Sequence, residues 1–296
     1  MVTAFRIGVV GAGRVGAVLA ARRREAGHEI GAVAGESDAS RARAASLLPG
    51  VPVRKPTAVA RACDLRLLTV PDDMLGNVAA MLAGAGAIRR GQQVVHTSGR
   101  HGVAVLAPAA ARGAEVLAVH PAMTFTGTDR DLPRLEGCTY GVTADGPAAA
   151  ALAQQLVADL GGRLVSVPEE KRAVYHAGLA HGANHLVTLV TQAMGLLRES
   201  GAADPAATLR PLLTAALDNV LRMGDSALTG PIVRGDVETV RAHLEGIALT
   251  QPGTLPAYVA LGRATANAAV LDGRLVPMRA AKLIGILNDA LEQVAV

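Results

Sequence analysis

Through the first half of the chain, short apolar runs alternate with stretches whose apolar residues recur at helical spacing. Residues 5–10, 29–34, 65–70, 93–96, 115–119, 139–142 and 163–167 read as strands. Residues 15–26, 40–48, 74–83, 103–112 and 147–160 read as helices between them. That alternation predicts a parallel sheet covered by helices on both faces. After Val167 the strand signal stops, and five helix patterns follow at 169–200, 205–227, 236–245, 255–271 and 277–295. Turn signals at Gly201, Gly230-Pro231, Pro252-Gly253 and Asp272-Gly273 separate them. The expected organisation is a doubly wound α/β domain over residues 1–167, handed directly to an all-α domain over 168–296. No internal repeat or low-complexity linker interrupts it.

Composition narrows the partners. The chain has 296 residues, half of them apolar and 18% charged, which suits a packed core and excludes general disorder. Trp is absent and the aromatics are Phe5, Phe125, Tyr140, Tyr175 and Tyr258, too few for a base-stacking platform. The net charge of +4 comes from Arg scattered among acids, so no nucleic acid is expected as a partner. Cys63 and Cys138 have no partner at metal-ligand spacing, so neither a disulfide nor a metal is expected, and a reducing cytoplasm is. The opening MVTAFRIGVV shows no leader pattern. Residues 173–197 carry no Asp, Glu, Lys or Arg and are long enough to span a bilayer. They also contain His176, His181, Asn184, His185 and Gln192, which predicts a helix buried in protein, with no membrane partner.

The chemistry gathers at predicted strand ends. Strand 5–10 runs straight into Gly11-Ala12-Gly13-Arg14-Val15-Gly16, which opens a helix. In GxGxxG the first glycine makes the tight turn, the second lets a pyrophosphate approach the backbone, and the third lets helix and strand pack closely. This is the dinucleotide fingerprint of a Rossmann-type sheet. After the second strand, Glu36 could accept from a ribose 2′-hydroxyl and favour NAD, whereas Ser37 and Arg41, with Ser40 and Arg43, suit the 2′-phosphate of NADP. A helix cap explains Ser37 to Arg41 equally simply, and the balance tips to NADP. Val70-Pro71 turns the chain across the same crevice. Ser98 and Gly99, in His96-Thr97-Ser98-Gly99, would suit a substrate carboxylate, and His120 could orient or donate to a reacting atom. On the long helix, His176 and Asn184 lie ~12 Å apart along the axis and ~80° apart around it, with His181 between them. Thr229, Gly230 and Arg234 join two helices and could close over a carboxylate, although Asp236 also reads as a plain helix cap.

In order, GVVGAGRVG, HTSG, HPAMTF, YHAGLAHGANHL and LTGPIVRGD resemble Rossmann-like bacterial proteins with a C-terminal helical domain of unknown function. These are similar in layout to pyrroline-5-carboxylate reductase and to the 6-phosphogluconate dehydrogenase-like superfamily. The resemblance implies an NAD(P) domain, a helical domain that forms a homodimer, and a site between them. The matching positions are Ser98, Gly99, His120, Pro121, His176, Asn184 and Thr229 to Asp236. Hydroxyacid dehydrogenases of the superfamily carry Lys four residues before the helix Asn, where this chain has Ala180, and Glu36 stands where Arg often meets a 2′-phosphate. The expected activity is an NAD(P)-dependent reductase or dehydrogenase acting on a C=O or C=N bond of a small carboxylate, ketopantoate-reductase-like or imino-acid-reductase-like. Its catalytic residues would be His120, His176 and Asn184. The alternative is a non-enzymatic NAD(P)-binding sensor or dimeric interaction protein.

Overall fold

The computed structural model describes residues 4–292. Seven strands, β1 (Arg6–Val10), β2 (Glu29–Ala34), β3 (Leu65–Leu68), β4 (Gln93–His96), β5 (Glu115–Pro121), β6 (Thr139–Ala144) and β7 (Arg163–Ser166), form one sheet. Its order is β2-β1-β3-β4-β5-β6-β7. The helices of this region are α1 (Arg14–Glu25), α2 (Asp38–Leu47), α3 (Pro56–Arg61), α4 (Asp72–Gly84), α5 (Ala107–Ala110), α6 (Gly146–Ala158) and α7 (Arg172–Leu179).

The central strands read as unbroken apolar runs because both faces are covered. Ile7, Val9, Leu65, Leu67, Val95, Leu117 and Val119 pack with residues of α1, α2 and α6. Val10, Leu68 and Val94 pack on the opposite face with Val59 of α3, Leu75, Ala79 and Leu82 of α4, and Ala109 of α5. The period of two assigns each strand residue to one layer. Arg66 is the exception within β3. It is fully buried, and its guanidinium donates to the carbonyls of Ala60, Asp64 and Ala87.

The expected parallel sheet has one antiparallel pair. β6 runs antiparallel to β5, with Val119 opposite Val142 and His120 opposite Gly141. The link between them, residues 122–138, holds only two 3₁₀ turns, Asp129–Asp131 and Pro133–Leu135. Without a crossover helix to carry the chain back along the sheet, the next strand starts at the edge where the last one ended. Two other elements shift and one is added. β3 stops at Leu68, which leaves Thr69, Val70 and Pro71 as a turn, and the helix expected over 103–112 is a 3₁₀ turn, Val103–Leu106, followed by α5. Helix α3 was not foreseen.

The chain divides into two compact units, Met1–Ala183 and Asn184–Val296. The helix expected over 169–200 begins as a 3₁₀ turn, Glu169–Lys171, continues as α7, widens into a π turn at Ala180–Asn184 and resumes as α8 (His185–Glu199). The second unit continues with α9 (Pro205–Met223), α10 (Pro231–Arg234), α11 (Val237–Thr250), α12 (Leu255–Leu271) and α13 (Pro277–Glu292). Residues 293–295 of the last expected helix lie outside the described residues. Val240, Leu244 and Ile247 of α11, Val259, Ala266 and Ala269 of α12, and Leu283 and Leu287 of α13 form its core. The burial expected for 173–197 is not found. Nothing in α8 is fully buried, and Val174, Leu186, Val187 and Leu189 are exposed. No described helix is long and apolar enough to cross a membrane.

Candidate functional site

β2 and β3 leave β1 in opposite directions across the sheet, so a crevice opens outside the carboxyl ends of β1 and β3. Gly11 turns there at φ +105°, and a Cβ on it would lie 2.7 Å from the carbonyl carbon of Thr69. Gly16 is as tightly held, for its Cβ would fall 2.3 Å from both the Gly11 oxygen and Thr69 Oγ1. The Thr69 hydroxyl donates to the Gly11 carbonyl at 2.5 Å and closes the turn. Gly13 differs. A Cβ there would meet nothing nearer than 4.0 Å, so its open side belongs to the crevice and not to packing.

Gly13 is also the residue that caps α1, with no side-chain cap, so the first N–H groups of the helix, at Arg14, Val15 and Gly16, are available to an anion. The crevice encloses about 660 Å³ and is lined by Gly11, Gly13, Glu36, Ser37, Arg41, Val70 and Pro71 among others. Val53, Met74 and Met81 line it too and are exposed apolar side chains, as a slot for a flat aromatic base requires. A glycine cradle, an uncapped helix start and an apolar slot together fit a dinucleotide.

At the end of β2 the structure realises the capping alternative. Ser37 Oγ accepts from Ser40 N–H at 3.2 Å as the cap of α2. Arg41 donates through Nη1 to the Glu36 carbonyl and through Nη2 to Asp38 Oδ1, each at 2.5 Å. Arg43 and Arg14 flank Gly127 of the loop after β5. Arg54 and Lys55 also line the crevice, and sequence reasoning missed both.

A second cluster stands at the ends of β4 and β5. His96 is fully buried. Its Nδ1 accepts from Ser98 N–H at 3.1 Å and its Nε2 donates to the Gly102 carbonyl at 2.8 Å. Burial holds its pKa down to about 4, so this ring is a neutral pin for the turn. Ser98 is buried, and its hydroxyl accepts from His101 N–H at 3.2 Å, which leaves its own proton free to donate. Glu169 accepts from Val103 and Ala104 N–H at 2.7 and 3.2 Å and ties the approach to α7 to the same loop.

Gly99 faces two histidines, since a Cβ on it would fall 2.5 Å from His176 Cδ2 and 3.0 Å from His120 Nε2. The His120 and His176 rings meet edge to face at 5.7 Å. His120 Nδ1 lies 3.1 Å from the Tyr175 hydroxyl. Burial first, then the charge of His176 and of Arg172, pulls the His120 pKa down to about 4, so it is neutral near pH 7. Burial pushes the Tyr175 phenol up, which keeps it a donor. A phenol can donate or accept here, and the tautomer in which Tyr175 donates to Nδ1 puts the His120 proton on Nε2, the nitrogen that faces Gly99.

Beneath them Arg172 is buried and forms no ion pair among the described residues. Nε donates to Thr143 Oγ1 at 2.7 Å and Nη2 to the Ala118 and Gly141 carbonyls at 3.1 and 3.2 Å. It thereby clamps β5 to β6 under His120. Tyr175 was missed because its partner is 55 positions away. The one available signal was its place beside His176.

The structure thus brings together His120, His176, Ser98 and Gly99, and separately Gly11 to Gly16 with Glu36, Ser37, Arg41, Val70 and Pro71. Asn184, Thr229, Gly230 and Arg234 belong to the second unit. There Gly230 starts α10 at φ +104°, and Arg234 Nε donates to Asp236 Oδ2 at 2.9 Å. Among the described residues no cluster of His, Cys, Asp and Glu could hold a metal.

Comparison with known proteins bears out the resemblance. Residues 2–121 match the Rossmann-like domain, and residues 138–265 match DUF2520, a domain of unknown function. Two family models thus match successive parts of the chain, the first over the sheet region and the second from β6 into the helical region. Among solved structures, a Bacteroides fragilis protein provisionally named an NADP oxidoreductase is similar at 19% identity, with 90% of this chain and 100% of that chain covered and a TM-score of 0.79. A Plasmodium falciparum pyrroline carboxylate reductase with NADP bound is similar at 11% identity, 95% and 98% coverage and a TM-score of 0.57. An imine reductase from Myxococcus stipitatus in complex with NADP+ is similar at 15% identity, 97% and 94% coverage and a TM-score of 0.56. At these identities the likeness establishes the fold. No curated protein matches the chain by sequence.

Proposed function

We propose that the protein is an NAD(P)-dependent oxidoreductase that reduces a C=O or C=N bond of a small carboxylate, ketopantoate-reductase-like or imino-acid-reductase-like. The observation that carries this reading is one sheet edge bearing both a glycine cradle with an open side at Gly13 and a neutral His120 aligned by Tyr175. The nicotinamide, when bound, supplies the hydride. Gly11, Gly13, the first turn of α1 and the turn at Val70-Pro71 hold the dinucleotide. His120 donates from Nε2 to the reacting oxygen or nitrogen and draws its replacement proton through the Tyr175 hydroxyl, which takes its own back from water. Gly99 keeps that nitrogen reachable, Ser98 serves the substrate carboxylate, and His176 flanks it. The resemblance extends the reading to Asn184 as a polarising group and to Thr229, Gly230 and Arg234 as substrate contacts. It also implies a homodimer through the helical unit, for which the bare apolar face of α8 and α9 speaks, and the two unpaired cysteines favour a cytoplasmic setting.

Calorimetric titration with NADH and NADPH, followed by an absorbance screen of 2-keto and cyclic imino acids, tests the reading. Tyr175→Phe is expected to lower kcat by about a hundredfold or more with dinucleotide affinity unchanged, and unaltered kcat refutes the relay. Ala180, standing where hydroxyacid dehydrogenases carry Lys, favours a second reading as a non-enzymatic NAD(P)-binding sensor or interaction protein. That reading wins if dinucleotide binds, no substrate turns over, and a partner protein is captured only in its presence.

A further inference from the structure

Two cations that the glycine motif does not explain stand at the crevice. Val53 makes a single parallel bridge to Val33 of β2. Val33 N–H donates to the Pro52 carbonyl at 3.0 Å, and Arg54 N–H donates to the Val33 carbonyl at 2.9 Å. The segment therefore runs along the outer side of β2 and delivers Arg54 and Lys55 into the crevice lining beside Glu36 and Ser37. Both are exposed, and neither side chain has a hydrogen-bond or ion-pair partner among the described residues.

Arg41, the cation that the position after β2 singles out, is already committed to the Glu36 carbonyl and the Asp38 carboxylate. Ser37 is committed to the cap of α2. The charged lining is Glu36 against Arg41, Arg54 and Lys55, and Asp38 offsets Arg41. The lining carries more positive charge than its one acid balances, and the uncommitted part of it sits on Arg54 and Lys55. A guanidinium fork beside an ammonium matches a phosphomonoester, which takes a bidentate contact and a point charge together. A ribose hydroxyl would use neither.

We propose that Arg54 and Lys55, and not Arg41, read the 2′-phosphate of NADPH, so that the protein selects NADPH over NADH. The inference rests on the dinucleotide reading above and names the phosphate that the crevice is charged for.

The test is titration of the full-length protein and of Arg54→Ala/Lys55→Ala, Arg41→Ala and Glu36→Gln with NADPH, NADH, 2′,5′-ADP and 5′-AMP. The wild type is expected to bind NADPH at least about tenfold tighter than NADH, and 2′,5′-ADP tighter than 5′-AMP by a similar factor. The double variant removes both gaps by weakening only the ligands that bear the phosphate, while Arg41→Ala and Glu36→Gln keep them. Both residues are exposed, so its melting temperature stays with the wild type. Equal binding of NADH and NADPH by the wild type, persistence of the gap in the double variant, or its loss in Arg41→Ala overturns the inference and leaves the oxidoreductase reading standing. Failure of the wild type to bind either dinucleotide overturns both.

Discussion

Both units expose large apolar side chains, in different shapes. In the sheet unit, Val53, Met74 and Met81 are exposed and line one concave crevice. In the helical unit, Leu186, Val187 and Leu189 of α8 and Leu212, Leu217, Val220, Leu221 and Met223 of α9 are exposed along two helices, of which α8 has no buried residue and α9 only Pro205 and Leu209. A concave apolar slot among glycines is a place for a small flat ligand, and an open helical face bearing this many apolar side chains is a place for another protein surface. Exposed apolar surface is thus informative only with its surroundings. The first patch suits a cofactor, and the second is the surface on which the proposed homodimer depends.

The largest effect should come from the helical patch. Leu217→Glu with Leu221→Glu is expected to turn a dimer into monomers by sedimentation, whereas an isolated helix face would absorb the change within about 0.5 kcal/mol of stability. A monomeric wild type would break the comparison at its second half. Next comes Gly16→Val, whose side chain must enter the contact with Thr69 and the Gly11 carbonyl. A loss of about 3 kcal/mol in a denaturant melt is expected, and a neutral result would mean that the turn is loose.

The third effect is on acid stability. His96 holds a pKa of about 4 in the fold against 6.5 unfolded. Between those values the unfolded chain binds the extra proton, so this contribution is complete above pH 6.5 and is lost as pH falls to 4. It amounts to about 3 kcal/mol, and His96→Gln should flatten that part of the stability profile. A wild-type profile level across the window would place His96 in water.

The sheet was legible because burial on both faces writes β1 and β3 as apolar runs, and the cradle because its glycines are contiguous. The reversal at β6 was readable only as an absence, the lack of any helical pattern between residues 122 and 138. The pairing of Tyr175 with His120 left no local trace, since β5 and α7 meet only in the fold. Arg54 and Lys55 were hidden because one bridging residue, Val53, is too short to read as a strand. The burial expected for 173–197 failed because an apolar stretch does not say whether its cover comes from the same chain.

Gly13 tests the central claim most directly, because a methyl there finds room in the protein and obstructs only what the crevice binds. Gly13→Ala should melt with the wild type in the absence of ligand and bind NADPH more weakly by at least about tenfold, equivalent to 1.4 kcal/mol. Undiminished binding at unchanged stability would contradict the account, since the glycine loop would then not be where the dinucleotide sits.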